Sequence, residues 1–207
     1  MKGPGKLALH AGLALSFALA ATGVLAHSTV KSAGDFYAGV LHPLTALEHV
    51  LPFVALGVLA GQRGQPAHRA VIIFALSLGA GACLALWLKP VPGIAMLNIA
   101  SSIIFGGLIA SAWALPILLL NSLAILFGLS HGFANGEAIT KGIRAYLFIP
   151  GIVAAGAVVA VYAMIAVDYV LRRKPTWLPI AVRVAGSWIA AIGILVLAIS
   201  GRAILKS

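Results

Sequence analysis

Two short segments concentrate the side chains able to hold a cation. The segment "HPLTALEH" carries His42, Glu48 and His49, and "FGLSHGFANGE" carries His131, Asn135 and Glu137. Imidazole nitrogen, carboxylate and amide oxygen together suit a borderline divalent cation such as Ni²⁺, Co²⁺ or Zn²⁺. Neither segment contains Cys or Met, which argues against Cu(I). Both lie in or at the end of apolar runs, where a charged group at a membrane-helix centre costs about 2.5–3.5 kcal/mol. A lone histidine in such a run reads most simply as an interhelical hydrogen bond. Two clusters that each combine histidine with an acid point instead to a site facing a bundle interior or a water-filled path.

The spacings predict how such a site could form. His42 and His49 share a helix face, with Thr45 between them, but stand about 10 Å apart along a straight axis. They fit successive stations on a path, or a locally broken helix. His131 and Asn135 are adjacent on one face. Each acid follows a histidine by six positions, about 120° around the helix, so one shared site needs bending or a partner helix. Pro52 deprives the Glu48 carbonyl of its helical donor. Pro43 suits a first helical turn, and Gly128, Gly132 and Gly136 are expected to loosen the second segment. Carbonyls freed in a broken membrane helix are further candidate ligands.

The elements that must position these groups are membrane helices. The 207 residues are 62% hydrophobic and 9% charged, against about 25% charged in soluble domains. An ordinary soluble enzyme is thereby excluded. Apolar runs near the length of about 20 residues that a bilayer requires fall at roughly 37–60, 70–88, 94–113, 115–133, 146–171 and 178–199. The fold class is thus all-α, a polytopic six-helix transmembrane bundle. Lys2 and Lys6, the apolar stretch from Leu7 to Leu19 and Val24-Leu25-Ala26 resemble a cleavable signal peptide over 1–26. The six-span domain would then occupy 27–207. An uncleaved first span is the alternative. Cleavage would expose His27, whose amine and imidazole could capture a metal at the outer surface, unless it is an ordinary solvated terminus.

The net charge of +10 comes from 14 basic and 4 acidic residues. The basic residues sit singly or in short clusters such as Arg172-Arg173-Lys174, and fit anionic lipid headgroups better than nucleic acid. Loop Lys and Arg counts are balanced, so orientation rests on the signal peptide: mature N-terminus outside the cytoplasm, in the inner (plasma) membrane of a bacterium. Asp168 and Arg172 are spaced to pair on one helix face. Asp35 reads as a solvated residue, and Cys83 as a small core filler. No phosphate-binding loop is present.

His-x5-Glu occurs at 42–48 and at 131–137, in spans one and four of six. That is compatible with two three-span halves of opposite topology around a shared site. These motifs resemble those of the HupE/UreJ family of membrane proteins. Members carry a His-Pro-x-x-Gly-x-Asp-His pattern in the first span and His-Gly-x-Ala-His-Gly-x-Glu, or similar, in a later one. Here His42, Pro43 and His49 match, with Ala46 and Glu48 in place of glycine and aspartate. His131, Gly132, Ala134 and Gly136 also match, with Asn135 where a second histidine is expected and Glu137 close to the family's acid. The resemblance implies a signal peptide, six spans and permease activity toward nickel or cobalt.

The expected function is a secondary transporter of a divalent transition metal, with no permanently bound cofactor. His42, Glu48, His49, His131 and Glu137 would line the path, with Asn135 as a weaker ligand. Two other classes compete. Facing histidines could ligate haem in an accessory subunit. "GLSHG" matches a nucleophile motif around Ser130, although that motif belongs to a strand–turn–helix setting.

Overall fold

The computed structural model describes residues 34–173 and 176–204. The signal-peptide segment and His27 lie outside the described residues. Among those described, the chain forms seven helices and no strand. They are α1 (Asp35–Leu44), α2 (Leu47–Arg63), α3 (Arg69–Leu84), α4 (Ile94–Ser111), α5 (Ile117–Gly136), α6 (Ala145–Arg172) and α7 (Leu178–Ile204). By length and composition α4, α5, α6 and α7 can each cross a membrane. The pair α1 and α2, bent by 78°, would be a fifth as one broken span. Helix α3 is apolar but shorter. Tight turns prolong it, ending with Leu88 N–H donating to the Leu84 carbonyl at 3.1 Å.

The first expected span is therefore two helices, broken at Thr45–Ala46 between His42 and His49. The local chemistry explains the position. Pro43 has no N–H to offer the preceding turn. The Thr45 hydroxyl donates to the His42 carbonyl at 3.1 Å, a local bond that competes with helix continuation. Ala46 is extended, with φ −115° and ψ 116°. Pro43 thus belongs to the last turn of α1, not to a first turn as its sequence context suggests.

Close pairing organises the bundle. Helices α1 and α2 run along α6, α3 runs parallel to α5, and α4 runs antiparallel to α7. Glycines set the separations. A Cβ on Gly132 would stand 2.0 Å from the Leu78 carbonyl oxygen, and one on Gly39 2.0 Å from that of Phe148. Gly128, Gly132 and Gly136 therefore do not loosen α5, which is continuous through all three. They form a stripe that lets its backbone touch α3, the small-residue packing of membrane helices.

These pairings put the starts of α1, α4 and α6 and the C-terminus of α5 at one end of the bundle. The 64–68 and 112–116 connections, the end of α6 and the start of α7 lie at the other. The two His-x5-Glu segments consequently sit at the same end, one early in its span and the other late. Segments related by an inverted repeat would sit at opposite ends, so this motif is not the signature of one. The close pairs α3–α5, α2–α6 and α4–α7 do map onto one another when α2, α3 and α4 are exchanged for α5, α6 and α7, but the α2–α4 contact has no comparable counterpart between α5 and α7.

Cys83 is exposed on α3 and is not core filler. It faces away from the close α3–α5 contact that buries its neighbours Gly81 and Ala82. Asp35 is not simply solvated, because it forms an ion pair with Arg144 that ties the start of α1 to the start of α6. The hydrogen bond that Arg144 donates to this carboxylate raises the Arg144 pKa above its ordinary value. The expected Asp168–Arg172 pair is present at 2.8 Å.

Candidate metal centre

Seven polar side chains are buried among the described residues: His49, Asn98, Ser101, Ser102, Ser130, His131 and Asn135. All lie on α2, α4 and α5. His49 sits in the first turns of α2, just past the break. His131 and Asn135 lie one turn apart on α5, on a stripe adjacent to the glycines that dock against α3. Asn98, Ser101 and Ser102 share one face of α4 by their three- and four-residue spacing.

The centre of this group is a direct contact between imidazoles. His49 Nδ1 and His131 Nδ1 stand 2.8 Å apart. His131 Nε2 is 2.9 Å from Ser101 Oγ, and Ser101 Oγ is 2.6 Å from the Asn98 carbonyl oxygen. The carbonyl can only accept, so the single hydroxyl proton of Ser101 goes to it. Ser101 must then accept from His131 Nε2–H. A neutral His131 protonated at Nε2 carries its lone pair on Nδ1, so His49 Nδ1–H is the donor across the pair. The relay runs from His49 through His131 and Ser101 to the α4 backbone, and it leaves the His49 lone pair on Nε2.

His42 is half-buried, with its ring centroid 6.4 Å from that of His49 and 5.9 Å from that of Phe148. The helix break lets the two histidines of "HPLTALEH" approach, as a straight helix could not. Asn135 Nδ2 donates to the His131 carbonyl at 2.7 Å. The structure thus brings His42, His49, His131 and Asn135 together. It does not bring in the acids: Glu48 in the first turn of α2 and Glu137 at the cap of α5 are both exposed. Among the described residues no group of three or more His, Cys, Asp and Glu side chains converges to hold a metal ion.

One turn deeper these helices and α3 supply an aromatic layer. Phe53, Phe74, Phe105 and Phe127 are fully buried. Phe53 meets Phe74, and Phe105 meets Phe127, each edge-on at 5.2 Å between centroids. Phe53 also packs against the His131 ring at 5.6 Å.

A model described as HupE / UreJ protein matches residues 14–196, most of the chain. The chain belongs to the HupE/UreJ family. Membership places it among membrane proteins related to nickel and cobalt transport. No curated protein and no solved structure matches the chain. The family motifs cover His42, His49, His131 and Asn135 but not Asn98 or Ser101. Those two were legible only as polar residues at helical spacing within the apolar run "MLNIASSIIF".

Proposed function

We propose that this HupE/UreJ protein is a six-span permease for a divalent transition-metal cation, Ni²⁺ or Co²⁺ foremost, that binds at the His49–His131 pair. The observation that carries this reading is the 2.8 Å contact between the two Nδ1 atoms. Metal–nitrogen bonds of about 2.0–2.1 Å place right-angled ligands about 2.9 Å apart. The nitrogens are thus already at the separation of two adjacent ligands, and each ring need only turn to aim its lone pair at a metal lying off the line between them. His131 is already in the tautomer that presents Nδ1. His49 must shift its proton to Nε2, which keeps the ring neutral and needs no net proton release. Ser101, accepting from His131 Nε2–H, fixes the ring in the manner of outer-shell partners at metal sites.

Glu48 and Glu137 act at the mouth in this reading. They share the histidine end of the bundle with Asp35, so three of the chain's four acids lie there. Exposed carboxylates raise the local cation concentration and the rate of entry. They are not ligands in this conformation. Span one is the bent pair α1 and α2, and span two is α3 with its terminal turns. An outside N-terminus puts the mouth on the outer face of the inner membrane. Two charges crossing 100 mV then gain on the order of 4.6 kcal/mol, enough to drive uptake.

The competing classes gain no support. Imidazoles in direct contact leave no slot for a porphyrin between them. Ser130 Oγ donates to the Phe127 carbonyl at 3.2 Å within a continuous helix. Ser101 touches His131 but donates away from it, opposite to the direction a serine nucleophile needs. Reconstitution into liposomes provides the test. Accumulation of Ni²⁺ or Co²⁺ should fall to the protein-free level in His131→Ala, while the protein still inserts and remains monodisperse. Undiminished accumulation would overturn the reading.

A further inference from the structure

Two amide oxygens beside the imidazole pair have no partner. Asn98 Oδ1 and Asn135 Oδ1 are both buried and make no hydrogen bond. The orientations of these amides are fixed by what they touch. Asn98 Nδ2 faces the Ser130 carbonyl at 3.5 Å, and Asn135 Nδ2 faces the His131 carbonyl at 2.7 Å. A carbonyl accepts only, so nitrogen must point at it and oxygen must point away. The two carboxamides therefore dock on successive carbonyls of one helical turn, from two different helices. A buried amide oxygen left unpaired opposes folding, so two of them on carboxamides docked at successive carbonyls call for a donor or a cation that completes them.

Their level in the bundle identifies that group. Asn135 lies one turn nearer the mouth than His131 on α5. Asn98 lies nearly one turn nearer the mouth than Ser101 on α4. Both are thus between the exposed carboxylates and the imidazoles. Asn121 also has an unpartnered buried oxygen, but it lies toward the opposite end of α5 and is paired with no second amide.

We propose that Asn98 Oδ1 and Asn135 Oδ1 form a dehydration station, where an entering divalent cation exchanges part of its water shell for amide oxygens before it reaches His49 and His131. Neutral oxygens offset the loss of hydration yet hold a dication less tightly than carboxylates would. Conduction needs that balance, with binding favourable enough to enter and weak enough to leave. Asn98 becomes a specificity-determining residue, and Asn135 a ligand of the entry station rather than a weak substitute at the imidazole pair. Hard oxygen donors favour Mn²⁺, whereas imidazole favours Ni²⁺ and Zn²⁺. The station therefore broadens the range of cations admitted.

This inference rests on the permease reading, and one experiment separates the two. Thermal shift and calorimetric titration of the detergent-purified full chain with Ni²⁺, Co²⁺ and Mn²⁺ would compare wild type with Asn98→Leu and Asn135→Leu. The expected result is Mn²⁺ affinity weakened at least tenfold in each variant and Ni²⁺ affinity weakened less, with metal-free stability equal to or above wild type. Should Asn98→Leu not fold, Asn98→Ala withdraws the oxygen with a small helix-compatible side chain, and the same Mn²⁺ loss is expected. Wild-type binding with unchanged affinities and selectivity in the variants would overturn the station, assigning those oxygens to bound water, and leave the permease reading standing. No binding of any metal by wild type would overturn both.

Discussion

Two layers one helical turn apart are built from the same helices and could hardly differ more. The outer layer takes His49 from α2, Ser101 from α4 and His131 from α5. The inner layer takes Phe53 and Phe105, four residues after His49 and Ser101, and Phe127, four before His131, on the same helix faces, with Phe74 from α3. The outer layer is a directed hydrogen-bond relay with two unpaired oxygens on the side of the exposed carboxylates. The inner layer has no polar atom and packs edge to face. Four residues along a helix are about 6 Å, so in the proposed permease a cation at the imidazoles would meet an apolar wall immediately below. The contrast teaches that a polar layer and an apolar one can come from nearly one set of helix faces, which in the proposed permease would serve as binding layer and barrier. The phenylalanine layer lies on the side of the strongly basic end, where Arg63, Arg69, Arg172, Arg173 and Arg183 are found, with Asp168 the only acid among the described residues there.

Breaking the inner layer should have the largest effect on the bundle. Phe53→Ala removes a ring that touches Phe74, His49 and His131. A buried Phe→Ala change costs about 3–5 kcal/mol in stability. The expected outcome is a lower unfolding midpoint together with faster passive leak of Co²⁺ from loaded proteoliposomes. A lower midpoint with no added leak would show that the layer packs the bundle but does not bar the path.

Loosening the outer layer should cost less stability and more affinity. Ser101→Ala removes the acceptor that holds His131 in one tautomer. Loss of an outer-shell partner weakens metal binding by roughly 10–100-fold. Titration of purified protein with Ni²⁺ should show a loss in that range with little change in the metal-free midpoint. Restoration by Ser101→Thr, which keeps the hydroxyl, would tie the loss to the acceptor.

The smallest effect is expected outside both layers. Asp35→Asn breaks the ion pair to Arg144 at the solvent-facing end. Exposed pairs of this kind contribute little and are screened by salt. The unfolding midpoint should stay within error of wild type at physiological salt, and metal affinity should not move. A change in Ni²⁺ affinity would show that the α1 anchor couples to the position of His42.

Much of the site was legible in the sequence because polar groups are costly in apolar helices. That rule singled out His42, His49, His131 and Asn135, which do come together. It failed for Glu48 and Glu137. Both have the right residue type, but each sits at a helix end, where a carboxylate can reach water without entering the core. It passed over Asn98 and Ser101, because neutral polar residues in a membrane helix cost less than charges and attract less notice. The glycines of "FGLSHGFANGE" misled in a different way. A glycine that frees the chain and a glycine that admits a neighbouring backbone look identical until the neighbour is present.

The sequence by itself determined the material of this protein. Its apolar runs dictate helices, its composition dictates a membrane, and its motifs place it in the HupE/UreJ family. Pro43 and Pro52 bracket the place where the first segment breaks. Only the tertiary structure decided which histidines meet. His49 belongs to one half of the chain and His131 to the other, 82 positions apart, and no local spacing encodes that contact. It arises because glycine stripes fix how closely and at what height α5 lies against α3, and α2 against α6. Those heights bring two imidazoles level, set two amide oxygens above them, and seat four phenylalanines below.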